Sequence, residues 1–322
     1  MVLALLALCA TASAQTCLTH EDLDANTLNA LQAAGRKFYD LAAKGDSSGM
    51  QANAIASVAS DFGGIAEAVK ESQPSLAGAA MTLRPPFLLK AEGTERIARA
   101  EFLCGVFGKS GQTADSAVFT IPNLPPGDYA VVIADAAGKI PFTVSFVLQK
   151  EGNDWKLGGY YAKPSQVVGH DGQWFLERAR EFKAKGKTRD AWLYYTQARE
   201  LFAPVPFMST MVTDKIYDES QGLQPTDLPA AGNSVDLVVS GKTYKLTAMY
   251  PVSVGDDLDL VVKYATASVA NTAQVYQENV AVIKALLAKF PELRDGFQGM
   301  VARATEPSGK DYGTLMAMKD VP

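Results

Sequence analysis

The amino-terminal part of the chain carries two series of apolar residues at the three- and four-residue spacing of an amphipathic helix. The first is Leu28, Leu31, Gly35, Phe38 and Ala42, and the second is Ile55, Val58, Phe62, Ile65 and Val69. Gly45 is typical of a helix end after the first series. In the second, Gly63-Gly64 predicts a kink, and Pro74 predicts the end of the helix.

From about residue 76 the apolar period changes to two, which predicts strands. One strand face carries Ala98, Ala100, Phe102, Cys104 and Val106, and a later one carries Phe142, Val144, Phe146 and Leu148. Arg99 and Glu101 point to the opposite face of the first strand. The turn residues 151–154 then lead into 155–161, which predicts a hairpin.

The rest of the chain begins with a charged helical hairpin that Asp171 can cap and Gly186 divides. The polar segment 218–233 is typical of a linker or long surface loop. Three strands then precede a helix at four- and three-residue spacing, and two strands follow it; the helix positions are Tyr276, Val280, Ile283, Leu287 and Phe290. These patterns predict an α+β protein. Its expected segments are a signal peptide at 1–14, a first α+β domain at 15–165, a helical hairpin at 166–204, a linker or loop at 205–234 and a smaller α+β domain at 235–322.

Residues 22–164 resemble the cone-shaped nuclear transport factor two superfamily. The resemblance rests on element order and on three segments, Phe38-Tyr39-Asp40-Leu41 with Gly45-Asp46, Phe146-Val147-Leu148-Gln149, and Trp155-Lys156-Leu157-Gly158-Gly159-Tyr160-Tyr161. It implies two helices packed against a curved antiparallel sheet around an internal pocket. Proteins of this superfamily bind small molecules or act as interaction modules, and some are isomerases or dehydratases.

Two shorter segments resemble other families. Residues 121–129 resemble the Leu-Pro-Pro-Gly-x-Tyr turn of carboxypeptidase-regulatory-like β-sandwiches, a second interpretation that leaves the two preceding helices unexplained. The hairpin at 172–203 resembles a single tetratricopeptide repeat in its small and aromatic positions, which are Phe175, Phe182, Ala191, Tyr195 and Ala198. One repeat is too few for a stable solenoid, so a structural strut is the expected role. Taken together, the chain looks like a secreted bacterial protein.

The amino end predicts export. An apolar run is followed by Ala12-Ser13-Ala14, the small-residue site that signal peptidase reads, so cleavage is expected before Gln15. The expected location is periplasmic or secreted. The chain has a net charge of −5 and no clusters of Lys and Arg, so it lacks the electrostatic pattern of a nucleic-acid binder. No later apolar run is long enough to predict a membrane span.

Two cysteines remain after the predicted cleavage, Cys17 and Cys104. In an oxidising compartment they are expected to form one intramolecular disulfide. The alternative is that Cys104, which shares an apolar strand face with Phe102, is a buried free thiol.

The sequence predicts no catalytic residue, no metal site and no cofactor. His20 and His170 both fall in connecting segments, without further ligands at zinc-site spacing. A ligand pocket inside the first domain could be lined by six aromatic residues, namely Phe38, Phe87, Phe102, Tyr129, Trp155 and Tyr161. The same side chains are also typical of an ordinary core. The expected function is a non-enzymatic binding or interaction module for a protein partner or a small apolar ligand. The alternative is a hydrolase or isomerase that uses the cone pocket.

Overall fold

The computed structural model describes residues 15–109, 111–230 and 232–321. The predicted signal peptide at residues 1–14 lies outside this range. The protein is a mixed α+β structure whose sheets are antiparallel apart from one parallel pair of strands, so the expected fold class is confirmed. Among the described helices, none has both the length and the apolar composition that crossing a bilayer requires.

The described chain forms two compact units, and neither is continuous in sequence. The first unit runs to Pro164 and includes the later segment Ala203–Val212, whereas the second comprises Ser165–Phe202 and the residues from Thr213 onwards. The helical hairpin therefore belongs to the second unit. The segment expected as a linker at 205–234 is shared between the two units, and it contains a strand and a helix that the sequence patterns did not predict.

The first unit begins with a helical layer. Its helices are α1 (Ala25–Lys44), α2 (Ser47–Ala52), α3 (Ala56–Ala59) and α4 (Gly63–Leu76). Asp24 caps α1 by accepting hydrogen bonds from the backbone of Asn26 and Thr27, and Gly45 ends the helix with a left-handed φ of 70°. The predicted inner face of α1 is buried at Leu31, Gly35, Phe38 and Ala42.

The second predicted helix differs from the structure. Its apolar series is divided between α3 and α4, because the chain breaks before Gly63 rather than bending there. Pro74 lies inside the last turn of α4 instead of ending it. A proline cannot donate an amide hydrogen bond, and its ring crowds the carbonyl group one turn earlier in the helix. The hydrogen bonds after it can still form, and here the backbone amide of Ala77 donates to the Gln73 carbonyl.

The described part of the first unit also contains nine strands. They are β1 (Gln15–Leu18), β2 (Ala80–Leu83), β3 (Phe87–Ala91), β4 (Ile97–Gly108), β5 (Gly111–Leu124), β6 (Gly127–Ala137), β7 (Phe142–Glu151), β8 (Asp154–Pro164) and β9 (Met208–Thr210). One sheet has the order β1-β3-β6-β7-β8, with β2 also paired to β6, and a three-stranded sheet has the order β4-β5-β9. On β4, Phe102 and Cys104 are buried as predicted. Val106 is 64% exposed because the pairing shifts after Gly105, so the alternation fails there.

The larger sheet separates two hydrophobic cores. Residues such as Val132 on one face of β6 pack with α1 and α4, whereas Val131 and Ile133 on the other face pack with the three-stranded sheet. Helix α1 comes so close to the sheet that a β-carbon on Gly35 would lie 2.6 Å from the Cγ1 atom of Val132. A glycine at this position therefore sets the distance between the helical layer and the sheet.

A disulfide joins the two sheets of the first unit. Cys17 on β1 and Cys104 on β4 are bonded, with their Cα atoms 5.0 Å apart, which confirms the predicted pair. Cys104 is fully buried in the core between the sheets. The bond ties the first described strand to a segment 87 residues later in the sequence.

The second unit has helices on a five-stranded sheet. Its elements are α5 (Gly172–Ala184), α6 (Thr188–Phe202), most of α7 (Met211–Ser220), β10 (Val235–Val239), β11 (Lys242–Val254), β12 (Asp257–Ala265), α8 (Thr272–Lys289), α9 (Leu293–Gly296), β13 (Gly299–Thr305) and β14 (Asp311–Ala317). The strand order is β10-β11-β12-β13-β14, and β12 and β13 are parallel because α8 and α9 connect them. Asp171 caps α5 and Gly186 separates α5 from α6, as predicted.

The inner face of α8 is turned from the predicted one. Tyr276 was expected inside but is 45% exposed, whereas Asn279 is fully buried. The Tyr264 hydroxyl donates to Asn279 Oδ1 over 2.8 Å, and Asn279 Nδ2 donates to Thr314 Oγ1 over 3.0 Å. These bonds make a polar residue compatible with the core, which apolar spacing alone does not reveal.

Candidate functional site

The six aromatic residues expected to line a pocket are distributed over both cores of the first unit. Phe38 is fully buried in the helix–sheet core, 6.0 Å in ring-centroid distance from Phe146. Phe87, Phe102 and Tyr129 lie in the core between the two sheets. The larger sheet stands between these groups, so the structure does not bring the six side chains around one space.

Tyr129 and Tyr161 each have an identifiable packing role. The Tyr129 hydroxyl donates to the Pro125 carbonyl over 2.9 Å, which fastens the proline-rich turn before β6, and burial raises the pKa of Tyr129. Tyr161 is 37% exposed, and its ring meets Phe207 edge to face at 5.6 Å. That contact holds the returning segment 203–212 within the first unit.

Trp155 is the member of the set that reaches a surface depression. The depression has a volume of about 330 Å³ and is lined by Ala30, Ala33, Ala34, Lys37, Asn53, Asn153, Asp154, Trp155 and Lys156. Small side chains of α1 and residues at the start of β8 both contribute to the lining. Part of the indole packs on the helix–sheet core, so the ring is held in place while its remaining surface lines the depression.

Asn53 fixes the polar end of this depression. Its Oδ1 atom accepts a hydrogen bond from the Lys37 ammonium over 2.6 Å, and its Nδ2 atom donates to the Gly49 carbonyl over 2.8 Å. Its backbone carbonyl also accepts from Leu157 on β8 over 2.9 Å. These bonds restrain the amide and link α1, α2 and β8 at one point.

The charges around the depression favour an anion. Lys37 and Lys156 line it against a single carboxylate, Asp154. Lys150, the cross-strand partner of Trp155, holds its ammonium 6.0 Å from the indole centroid. An indole surface beside ammonium groups and a fixed amide can contact a flat apolar group and its polar substituent at once. The sequence patterns did not connect Lys37 and Asn53 with Trp155, because these residues come from separated segments of the chain.

A second depression of about 330 Å³ lies where α4 ends. It is lined by Pro74, Ser75, Ala77, Gly78, Ala79, Gly138, Lys139 and Ile140. Lys139 is the one ionisable side chain in that lining, and the lining has no aromatic ring. It offers fewer specific contacts to a ligand than the depression at Trp155.

Buried hydroxyl groups occur in the helix–sheet core. Tyr160 and Ser72 share a hydrogen bond of 2.7 Å, and burial raises the pKa of Tyr160 to about 12. The nearby Tyr39 hydroxyl has no hydrogen-bond partner among the described residues. These groups lie in the layer where the cone-like resemblance expects an internal pocket.

Neither histidine is part of the lining of either depression. The His170 ring stacks on Trp174 with centroids 3.8 Å apart, and the adjacent Asp171 is occupied as the cap of α5. Within the described part of the chain, no group of three His, Cys, Asp or Glu residues is placed to hold a metal ion.

Comparison with protein-family models, with curated proteins and with solved structures found no match to this chain. The class of protein that the fold and the depression define is an α+β protein with an inter-sheet disulfide.

Proposed function

We propose that this protein is an exported binding module, and that its first unit holds a small ligand in the depression at Trp155. The observation that carries the proposal is that the Trp155 indole lines one depression together with alanines of α1 and the restrained Asn53–Lys37 pair. A volume of about 330 Å³ is at the small end of ligand sites, which are roughly 300–1,000 Å³.

The chemistry of the lining suggests an amphipathic ligand. A flat apolar part would lie against Trp155 and the alanine face of α1. An anionic or hydrogen-bond-accepting group would lie near Lys37 and Lys156, whose ammonium groups outnumber the carboxylate of Asp154. This ligand class keeps the apolar contact expected from the sequence and adds a polar end.

Export and fold family are parts of the same proposal. The Cys17–Cys104 disulfide is compatible with an oxidising compartment, as the predicted signal peptide requires. We assign the first unit to the cone-like, nuclear transport factor two type. The support is a helical layer on one face of an antiparallel sheet that ends with the hairpin of β7 and β8.

Native mass spectrometry of the protein purified from its own host tests the proposal. We expect a retained small molecule in the wild type, loss of that mass in Trp155→Leu, and retention in Trp192→Leu, a matched control in the second unit. As defined probes, indole-3-acetate and neutral indole are titrated into the protein in separate experiments, and the backbone amide signals are followed by NMR. Shifts at Lys37, Asn53 and Lys156 that are larger for the anion support the site.

Two results would contradict the proposal. One is a wild-type protein without retained mass whose amides at the depression respond to neither probe. The other is that Lys37→Gln and the control Arg36→Gln show equal amide shifts with indole-3-acetate. Arg36 is exposed on the same helix and lies outside the lining of the depression.

The alternative function, a hydrolase or isomerase using the helix–sheet interior, has one supporting observation. It is the unpartnered Tyr39 hydroxyl beside the Tyr160–Ser72 pair. Turnover of an ester or enolisable substrate that is lost in Tyr39→Phe, with unchanged folding, would favour this alternative over the binding module.

A further inference from the structure

Asp190 is a buried acid that the sequence patterns did not single out. It is the third residue of α6, within the charged stretch 187–190, and it is fully buried. Among the described residues, neither of its carboxylate oxygens has a hydrogen-bond partner. A buried carboxylate in this state is costly when it is charged, so its environment favours the protonated form.

The turn at residues 291–297, which contains α9, lies directly over this carboxyl group. A β-carbon on Gly296 would be 2.9 Å from Asp190 Oδ1, so the backbone of the turn passes at contact distance. The Tyr194 hydroxyl, one helical turn further along α6, donates to the Gly296 carbonyl over 2.5 Å. That hydroxyl is therefore engaged in holding the turn rather than in satisfying Asp190.

The cations beside Asp190 are engaged in the same way. The Lys187 ammonium pairs with Asp295 over 2.7 Å, and the Arg189 guanidinium pairs with Glu292 over 2.5 Å and with Asp227 over 2.5 Å. Two ion pairs thus clamp the turn onto the start of α6. Among the described residues, the carboxyl group beneath them has no ion pair of its own.

Burial, then the negative charges of Glu292 and Asp295, raise the pKa of Asp190 to about 7, while Lys187 and Arg189 act in the opposite direction. The positive charge of Arg178, on the neighbouring helix α5, acts to lower the pKa of Tyr194. The strongest effects on Asp190 therefore come from burial under the turn and from the acids that the turn carries.

We propose that Asp190 is a protonation switch that keeps the turn at 291–297 docked on α6 when it is neutral and releases the turn when it is charged. On ionisation the proton passes to solvent, and Lys187 and Arg189, whose charges act on Asp190, gain a competing carboxylate to pair with. Glu292 and Asp295 then lose their partners and are repelled by the new charge. Phe290, Leu293 and Phe297, all buried in the docked state, become exposed when the turn leaves.

Hydrogen exchange of the full chain tests this switch. Exchange is followed by mass spectrometry between about pH 5.5 and about pH 8.5 and is corrected for the intrinsic pH dependence of amide exchange. For peptides covering 290–298 in the wild type, we expect protection to fall about tenfold or more as pH rises through the transition. Peptides from β12 serve as the internal reference and keep their protection.

Matched variants decide whether Asp190 is responsible. Asp190→Asn is expected to keep the turn protected at every pH, whereas the control Asp236→Asn, on the exposed face of β10, behaves as the wild type. Asp295→Asn removes a repelling charge and frees Lys187, so it is expected to move the transition to lower pH. The Asp295→Asn variant leaves Asp190 intact, so it still tests the proposal if Asp190→Asn folds poorly. Equal protection at both pH extremes in the wild type, or an unchanged transition in both variants, overturns the proposal.

Discussion

Removing the Cys17–Cys104 disulfide is expected to destabilise the first unit substantially. The bond closes a loop across 87 residues of sequence separation. In the chain-entropy model, closing a loop of this size removes about 4.5 kcal/mol of conformational freedom from the unfolded state at 25 °C. Native stabilities are about 5–15 kcal/mol, so a loss of this size would bring the first unit close to unfolding.

The experiment must separate loop closure from packing, because Cys104 is fully buried between the sheets. The double variant Cys17→Ala with Cys104→Ala loses the bond and both sulphur atoms, whereas the reduced wild type loses only the bond. The difference between the two measures the packing of the sulphur atoms, for which about 1 kcal/mol is expected from the loss of a group of that size.

Guanidinium unfolding followed by tryptophan fluorescence gives the required free energies. The chain has three tryptophans, and Trp155 lies in the first unit while Trp174 and Trp192 lie in the second. Replacing the latter two by Phe makes the signal specific for the first unit, which matters because two units need not unfold in one step. A difference below about 1 kcal/mol between oxidised and reduced protein would refute the loop-closure reasoning.

Three further predictions concern the cores and the pH dependence. Gly35→Ala should cost the first unit about 1–3 kcal/mol in the same fluorescence assay, because the new methyl group overlaps Val132. Asn279→Leu should cost the second unit about 2–3 kcal/mol by leaving Tyr264 without its acceptor, whereas Gln277→Leu on the exposed face of α8 should not. The free energy of unfolding of the second unit should fall, by at most about 4 kcal/mol, as pH rises from about 4 through about 7. The sign follows because folded Asp190 keeps a proton that the unfolded chain has already lost. In urea unfolding, Asp190→Asn should show a smaller fall, which leaves the part due to Asp259, whose pKa is also raised by burial.

Local patterns predicted the elements whose burial depends on neighbours close in sequence. The face of α1 follows helical spacing, and Glu101 points outward from β4 as strand alternation requires. The prediction failed where backbone detail intervenes. Gly63 starts a new helix, and the shift after Gly105 turns Val106 to solvent; neither event changes the spacing of apolar residues.

The candidate site could be predicted only in part because its residues meet through tertiary structure. Trp155 was identified from its type and position, but Lys37 and Asn53 reach it only after α1, α2 and β8 have packed together. Asp190 lies in a run of charged residues that is typical of a solvent-exposed helix start. Its burial depends on a turn about 100 residues later in the chain, which no local pattern connects with α6.

The first unit is made of two segments that are separated in the sequence, and this affects the order in which the units can fold during synthesis. Strand β9 pairs with β5, so the three-stranded sheet lacks its last strand until residue 210 has left the ribosome. By then both helices of the hairpin at 172–202 have already emerged. A growing chain must therefore hold an unfinished first unit while the next unit begins to form. Any truncation between residues 165 and 207 leaves β5 with an unpaired edge, which is a site for association with another strand.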